Sequence, residues 1–110
     1  MNSNFEHTVG VVVYRYGEEP GTLDADWALS TQGHGIIRHG KATGGPAGEY
    51  AGTYFIQYYD EMGGPDGSFE LEITQVESVY QLTWYENAQP VIKGVGMLCE
   101  NALVVGWSHL

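Results

Sequence analysis

Apolar residues recur with a period of two along almost the whole chain, and the stretches that alternate are rich in Val, Ile, Tyr, Phe and Trp. That is the period of a strand with two unlike faces. No stretch repeats with the 3.6-residue period of an amphipathic helix. The alternation predicts about eight strands: Thr8 to Tyr16, Thr22 to Ser30, Gly33 to Gly40, Glu49 to Asp60, Ser68 to Thr74, Val79 to Glu86, Val91 to Leu98 and Ala102 to Ser108. Between them stand "EEPG", "STQ", "KATGGPAG", "EMGGPDG", "QVES", "NAQP" and "CEN", compositions that turn a chain. Such short connections join antiparallel neighbours, since a parallel crossover needs about a dozen residues or more. The expected fold is all-β, an antiparallel up-and-down meander.

Glycine interrupts this pattern in a telling place. Gly94 and Gly96 leave one face of the strand "VIKGVGML" without side chains, which weakens a strand unless something large must approach its backbone. With "AQP" as a three-residue loop, Trp84 falls opposite Gly94, Leu82 opposite Gly96 and Tyr80 opposite Leu98. With Glu100 and Asn101 as a two-residue turn in which Asn takes the positive φ, Leu98 faces Leu103, Gly96 faces Val105 and Gly94 faces Trp107. A hairpin centred between Val76 and Glu77 adds Phe69 opposite Trp84, Leu71 opposite Leu82 and Ile73 opposite Tyr80.

Glu70, Glu72, Thr74, Gln81 and Thr83 then share the outer face, and a one-residue slip would bury the glutamates. Earlier in the chain, with "STQ" as the loop, Leu29 faces Gly33, Trp27 faces Gly35, Ala25 faces Ile37 and Asp24 faces Arg38. Glycines beneath indoles permit tight coiling of the sheet, so the meander is expected to close into a barrel; two packed sheets are the alternative.

The cadence of "YQLTW", "GVG" and "LVVGW" on successive strands resembles the small calycin-type barrels, the lipocalin and avidin group, mainly over Phe69 to Leu110. The Gly-x-Trp signature that opens many lipocalins is absent from "TVGVVVYRYG". The resemblance implies an eight-stranded barrel with a binding cavity at one open end, and no particular ligand.

At 110 residues the chain is expected to be one domain, 1–110. Four basic against fourteen acidic side chains give a net charge of -10, which repels phosphate backbones and anionic lipid heads. Neither nucleic acid nor a membrane is an expected partner. The start, "MNSNFEHTVG", lacks a secretory pattern, and no run approaches the roughly 18 apolar residues of a span. A soluble, cytoplasmic protein is expected. The one cysteine, Cys99, fits a reducing compartment and is expected to be a small buried apolar residue rather than a nucleophile.

No nucleophile elbow, phosphate loop or zinc motif is present. Asp24 and Asp26 share a face but read as an outer ion-pair site with Arg38. His34 and His39 differ in parity, and His7 and His109 lie near the termini, so no His set has metal-ligand spacing and no metal or cofactor is expected. The aromatics carry the functional expectation. Trp27, Trp84, Trp107, Phe69 and Tyr80 point inward, joined by Tyr54 and Tyr58, and they either pack a core or wall a pocket for a small, flat apolar ligand, with His39 as a polar group inside it.

The leading reading is a non-enzymatic binding or self-assembling barrel; a small-barrel isomerase or cyclase and a purely structural oligomer are the alternatives. Because "GVVVY", "GTYFIQYY" and "ALVVGW" do not alternate cleanly, apolar side chains remain outside whichever parity faces in. A homo-oligomer, first of all a dimer, is expected.

Overall fold

Alternation becomes strand in eight places: β1 (Val9–Tyr16), β2 (Leu23–Leu29), β3 (Arg38–Thr43), β4 (Gly52–Tyr59), β5 (Pro65–Val76), β6 (Val79–Glu86), β7 (Gln89–Cys99) and β8 (Ala102–His109). The structure, a computed structural model, describes residues 8–31 and 35–110. His7, Gly33 and His34, and the expectations resting on them, lie outside the described residues. Each strand pairs antiparallel with the next, and β1 returns to β8 with Val12 opposite Val105, so the sheet closes into an eight-stranded up-and-down barrel. Closure leaves no unpaired edge. This is the architecture the calycin resemblance implies, and it settles the choice against two open sheets. Among the described residues no helix is long and apolar enough to cross a membrane.

The inward positions fill one half of the barrel solidly. Leu23, Ile56, Leu71, Ile73, Leu82 and Leu103 are buried there, each contributing ~1.5–3 kcal/mol by leaving water. Tyr50, from the β3–β4 connection, stoppers that end: its ring stacks on Tyr16 at 4.3 Å, and its hydroxyl donates to the carbonyls of Tyr14 and Asn101. The Tyr54 hydroxyl donates to the carbonyls of Glu49 and Tyr50, each at 3.0 Å, and fixes the stopper in place. Gly45 has to be glycine here, because a Cβ would overlap the Tyr54 ring.

The β7–β8 register is the expected one, with Gly94 opposite Trp107. Its turn differs in one detail: the left-handed residue is Glu100, φ 58, rather than Asn101. The β6–β7 register moves by two, to Trp84 opposite Ile92, Leu82 opposite Gly94 and Tyr80 opposite Gly96. Here a tight turn at Asn87 and Ala88, φ 52 and 65, replaces the three-residue loop. An extra residue, Val91, bulges from β7 beside Trp84 and restores the parity that the shorter turn would have reversed. The β5–β6 register also moves by two, with Leu71 opposite Trp84 and Ile73 opposite Leu82, because the turn is Glu77 and Ser78. A slip of two keeps every side chain on its expected face.

The β2–β3 register moves by three, and that reverses a face. Ala25 pairs with Gly40, Asp26 with His39 and Trp27 with Arg38. β3 starts at Arg38 and runs on to Thr43, instead of occupying Gly33 to Gly40. The physical reason lies in small residues: Gly40 and Ala42 face inward, and a Cβ on Gly40 would lie 2.7 Å from Tyr58 Cδ1. Arg38 therefore points in and His39 points out. Asp24 and Asp26 are an outer ion-pair site as expected, but with other partners. Asp24 meets Lys41 at 3.4 Å, and Asp26 meets Arg15 at 3.4 Å and His39 Nδ1 at 2.8 Å.

Cys99 is exposed rather than buried, since it shares the outward parity of Val95 and Met97 at the end of β7.

Candidate functional site

Opposite the stoppered end the barrel holds a cavity of about 370 Å³, within the roughly 300–1,000 Å³ of small-ligand pockets. Its floor is Trp84, only 1% exposed, whose indole N–H donates to the Tyr58 hydroxyl at 2.7 Å. The Tyr58 and Tyr14 hydroxyls are themselves 2.7 Å apart. Burial lifts the Tyr58 hydroxyl to about 12 and Tyr14 well above the ordinary tyrosine value. Both stay protonated at neutral pH, so they act as hydrogen-bonding groups and not as bases.

The walls are aromatic as well. Trp27 meets Tyr58 edge-on at 5.4 Å, and Tyr58 leans on Phe69 at 6.1 Å. Trp27 is held across the sheet by its indole N–H, which donates to the His39 carbonyl at 2.9 Å. On the far side Trp107 lies over Gly10, where any Cβ would overlap the indole, and sits edge-on to His109 at 5.6 Å. Glycine thus does admit a tryptophan, but the main glycine under Trp107 is Gly10. Gly94 instead meets Trp84 Cζ3, at 3.1 Å from where its Cβ would stand, and Val105.

Among the described residues one charged side chain is buried in the interior. Arg38 is 8% exposed, its guanidinium carbon 5.5 Å from the centre of the Trp27 ring. Its Nε and Nη2 both reach Glu61 Oε1, at 3.1 and 3.0 Å. Glu61 rides on the β4–β5 loop, a tight five-residue turn stitched by Asp60. The Asp60 carboxylate accepts the N–H groups of Met62 and Gly64, each at 2.9 Å, and its backbone N–H donates to the Gly64 carbonyl. A backbone hydrogen bond and the Arg38 guanidinium hold the Glu61 carboxyl below its ordinary value, so it is ionised at neutral pH.

Of the expected site residues, Trp27, Trp84, Trp107, Phe69 and Tyr58 meet around this cavity. Tyr54 and Tyr80 are inside the barrel but belong to the stoppered half, with Tyr80 edge-on to Tyr50 at 6.5 Å. His39 stands outside, against Asp26, and does not reach the cavity. Arg38, Glu61 and Tyr14 were not anticipated. A signal for Arg38 does exist: in "RHGKAT" the small residues Gly40 and Ala42 share one parity and the polar His39 and Lys41 the other.

No serine, threonine or cysteine is among the described residues that line the cavity, and no three His, Cys, Asp or Glu of the described residues converge as metal ligands would. The arrangement offers flat apolar walls, a guanidinium and a carboxylate rim. In comparison with known proteins, the chain matches no family model, no curated protein and no solved structure.

Proposed function

We propose that the chain is a calycin-like binding barrel that takes a small, flat, mainly apolar ligand at its open end. The observation that carries this is the cavity itself: Trp27, Trp107, Phe69 and Tyr58 wall it, while the other half of the same barrel is packed solid. A barrel built only as a scaffold gains by filling both halves, because unfilled space forfeits contacts between its walls. Tryptophan emission tests the reading. A neutral, flat aromatic compound should produce a saturable change that is lost in Trp107→Leu while the fold persists. No response to such compounds from the folded protein overturns it.

The same barrel offers a surface for pairing with a second copy. Val11, Gly106 and Val95 form one row across β1, β8 and β7 on the outside; Val13, Val104 and Met97 form the next. Val11, Val95 and Met97 are exposed, and neither row holds an acidic residue. In a chain of net charge -10, a face free of carboxylates is where two copies meet with least repulsion. We read the protein as a homodimer through this face. Two of the three apolar segments noted in the sequence come together in it; "GTYFIQYY" contributes Phe55 to a different side. A cytoplasmic location is in keeping with the exposed, free Cys99.

A further inference from the structure

We propose that the ligand of this cavity is an aromatic carboxylate, and that its carboxylate takes the place of Glu61 on Arg38. The proposal rests on the cavity being a ligand site and names the chemical class that fits it. The chain has four basic side chains. Arg15, Lys41 and Lys93 are exposed on the outer face, where charge is cheaply solvated. The fourth, Arg38, is turned into the barrel among Trp27, Tyr58 and Phe69, where a charge is held only against a large loss of hydration. Neighbouring inward positions on β3 are Gly40 and Ala42, so nothing in the strand pattern calls for a long cation there.

One partner of Arg38, Glu61, is easily exchanged. Glu61 belongs to a loop, its side chain is 43% exposed, and the fork of the guanidinium converges on one of its oxygens, Oε1. An incoming carboxylate that offers both oxygens makes the stronger, two-point pair with the same fork. Glu61 can swing into water without disturbing a strand, because the loop is held by Asp60 and not by the ion pair. With the carboxylate on Arg38, the flat body of the ligand lies against Trp27, Phe69 and Trp107.

Among the described residues, the other charges that face the cavity are Asp60 and Asp66, with His109 at the rim. The carboxylates and the net charge of -10 oppose an approaching anion, so added salt should speed its entry. An ammonium ligand would show the reverse.

Calorimetric titration of the full chain with 2-naphthoate, its neutral amide and the corresponding naphthylmethylammonium tests the assignment. Naphthoate should bind about tenfold or more tightly than the amide, the scale expected of a charge-assisted pair. Glu61→Gln, a change on an exposed loop, should strengthen naphthoate binding several-fold and amide binding much less, because only the carboxylate makes a charge-assisted pair with the freed guanidinium. Arg38→Gln should remove the preference for naphthoate while amide binding persists. Equal binding of naphthoate and amide, or weaker naphthoate binding in Glu61→Gln, overturns the proposal and leaves the pocket standing. Tightest binding of the ammonium compound overturns it in favour of a cationic ligand. If none of the three binds to the folded protein, the pocket reading falls with it.

Discussion

The hydroxyl of Tyr58 stands between the indole N–H of Trp84 and the hydroxyl of Tyr14, 2.7 Å from each, at the level where the cavity gives way to the packed half of the barrel. Three strands far apart in sequence are tied at this one oxygen. Tyr58→Phe should therefore take away the partner that two buried polar groups share and cost about 1–3 kcal/mol. Tyr14→Phe leaves the Trp84 to Tyr58 bond in place and should cost less. Equilibrium denaturation of both variants checks the order; equal losses would mean that Tyr58 has no special place.

Gly94→Val should destabilise the barrel by about 1–3 kcal/mol. Its first side-chain atom would stand 2.9 Å from the Gly106 carbonyl oxygen and 3.0 Å from Val105 Cγ1, with the Trp84 ring at 3.1 Å. Backbone cannot yield as a flexible side chain can. An unchanged denaturation midpoint would show that the strand relaxes.

Ala88→Gly should do the opposite. Ala88 sits at φ 65 in the turn after Asn87, a left-handed conformation disfavoured by roughly 1–2 kcal/mol for a residue with a Cβ. Asn-Gly is the favoured pair for this turn. A gain of up to about 1 kcal/mol in the denaturation free energy is expected, with no change in ligand binding, since unfolded-chain entropy offsets part of the relief.

Alkali should unfold the protein through its tyrosines. Burial lifts the hydroxyls of Tyr50, Tyr54 and Tyr58 from 10.0 to about 12. The fold favours their neutral forms, whereas the unfolded chain ionises at the ordinary value. Stability is thus complete below about pH 10 and falls as pH rises from there to about 12, because the unfolded state then binds fewer protons. Tyrosinate absorbance followed alongside circular dichroism checks this: the buried tyrosines should ionise in step with loss of structure.

Val11→Lys or Met97→Glu, each on the outer β7–β8–β1 face, should turn a dimer into a monomer in sedimentation without lowering thermal stability of the barrel itself. A wild-type chain that sediments as a single 12.1 kDa species removes the dimer.

Much of this molecule was legible in its sequence because strand parity survives error. The turn residues predict registers for β5–β6 and β6–β7 two residues away from where they lie, and Phe69, Leu71, Tyr80, Leu82 and Trp84 still point inward. Position 38 was not protected in this way. The sequence after Ser30 mixes glycines with the strand-favouring pair Ile36 and Ile37, so composition does not say where the next strand begins, and three residues' difference exchanges Arg38 for His39. The Val91 bulge and the Tyr50 stopper are likewise decided by packing between distant segments, which no local pattern records.

The Tyr50 stopper makes this barrel a cup and not a conduit. With Tyr16, Tyr50 and Tyr54 packed together at the far end, a ligand of the proposed kind would leave by the mouth through which it entered. Dwell time then belongs to the lip, where Trp27, Trp107 and the β4–β5 loop stand, so substitutions there should alter how long a guest stays while those around Tyr50 leave it untouched.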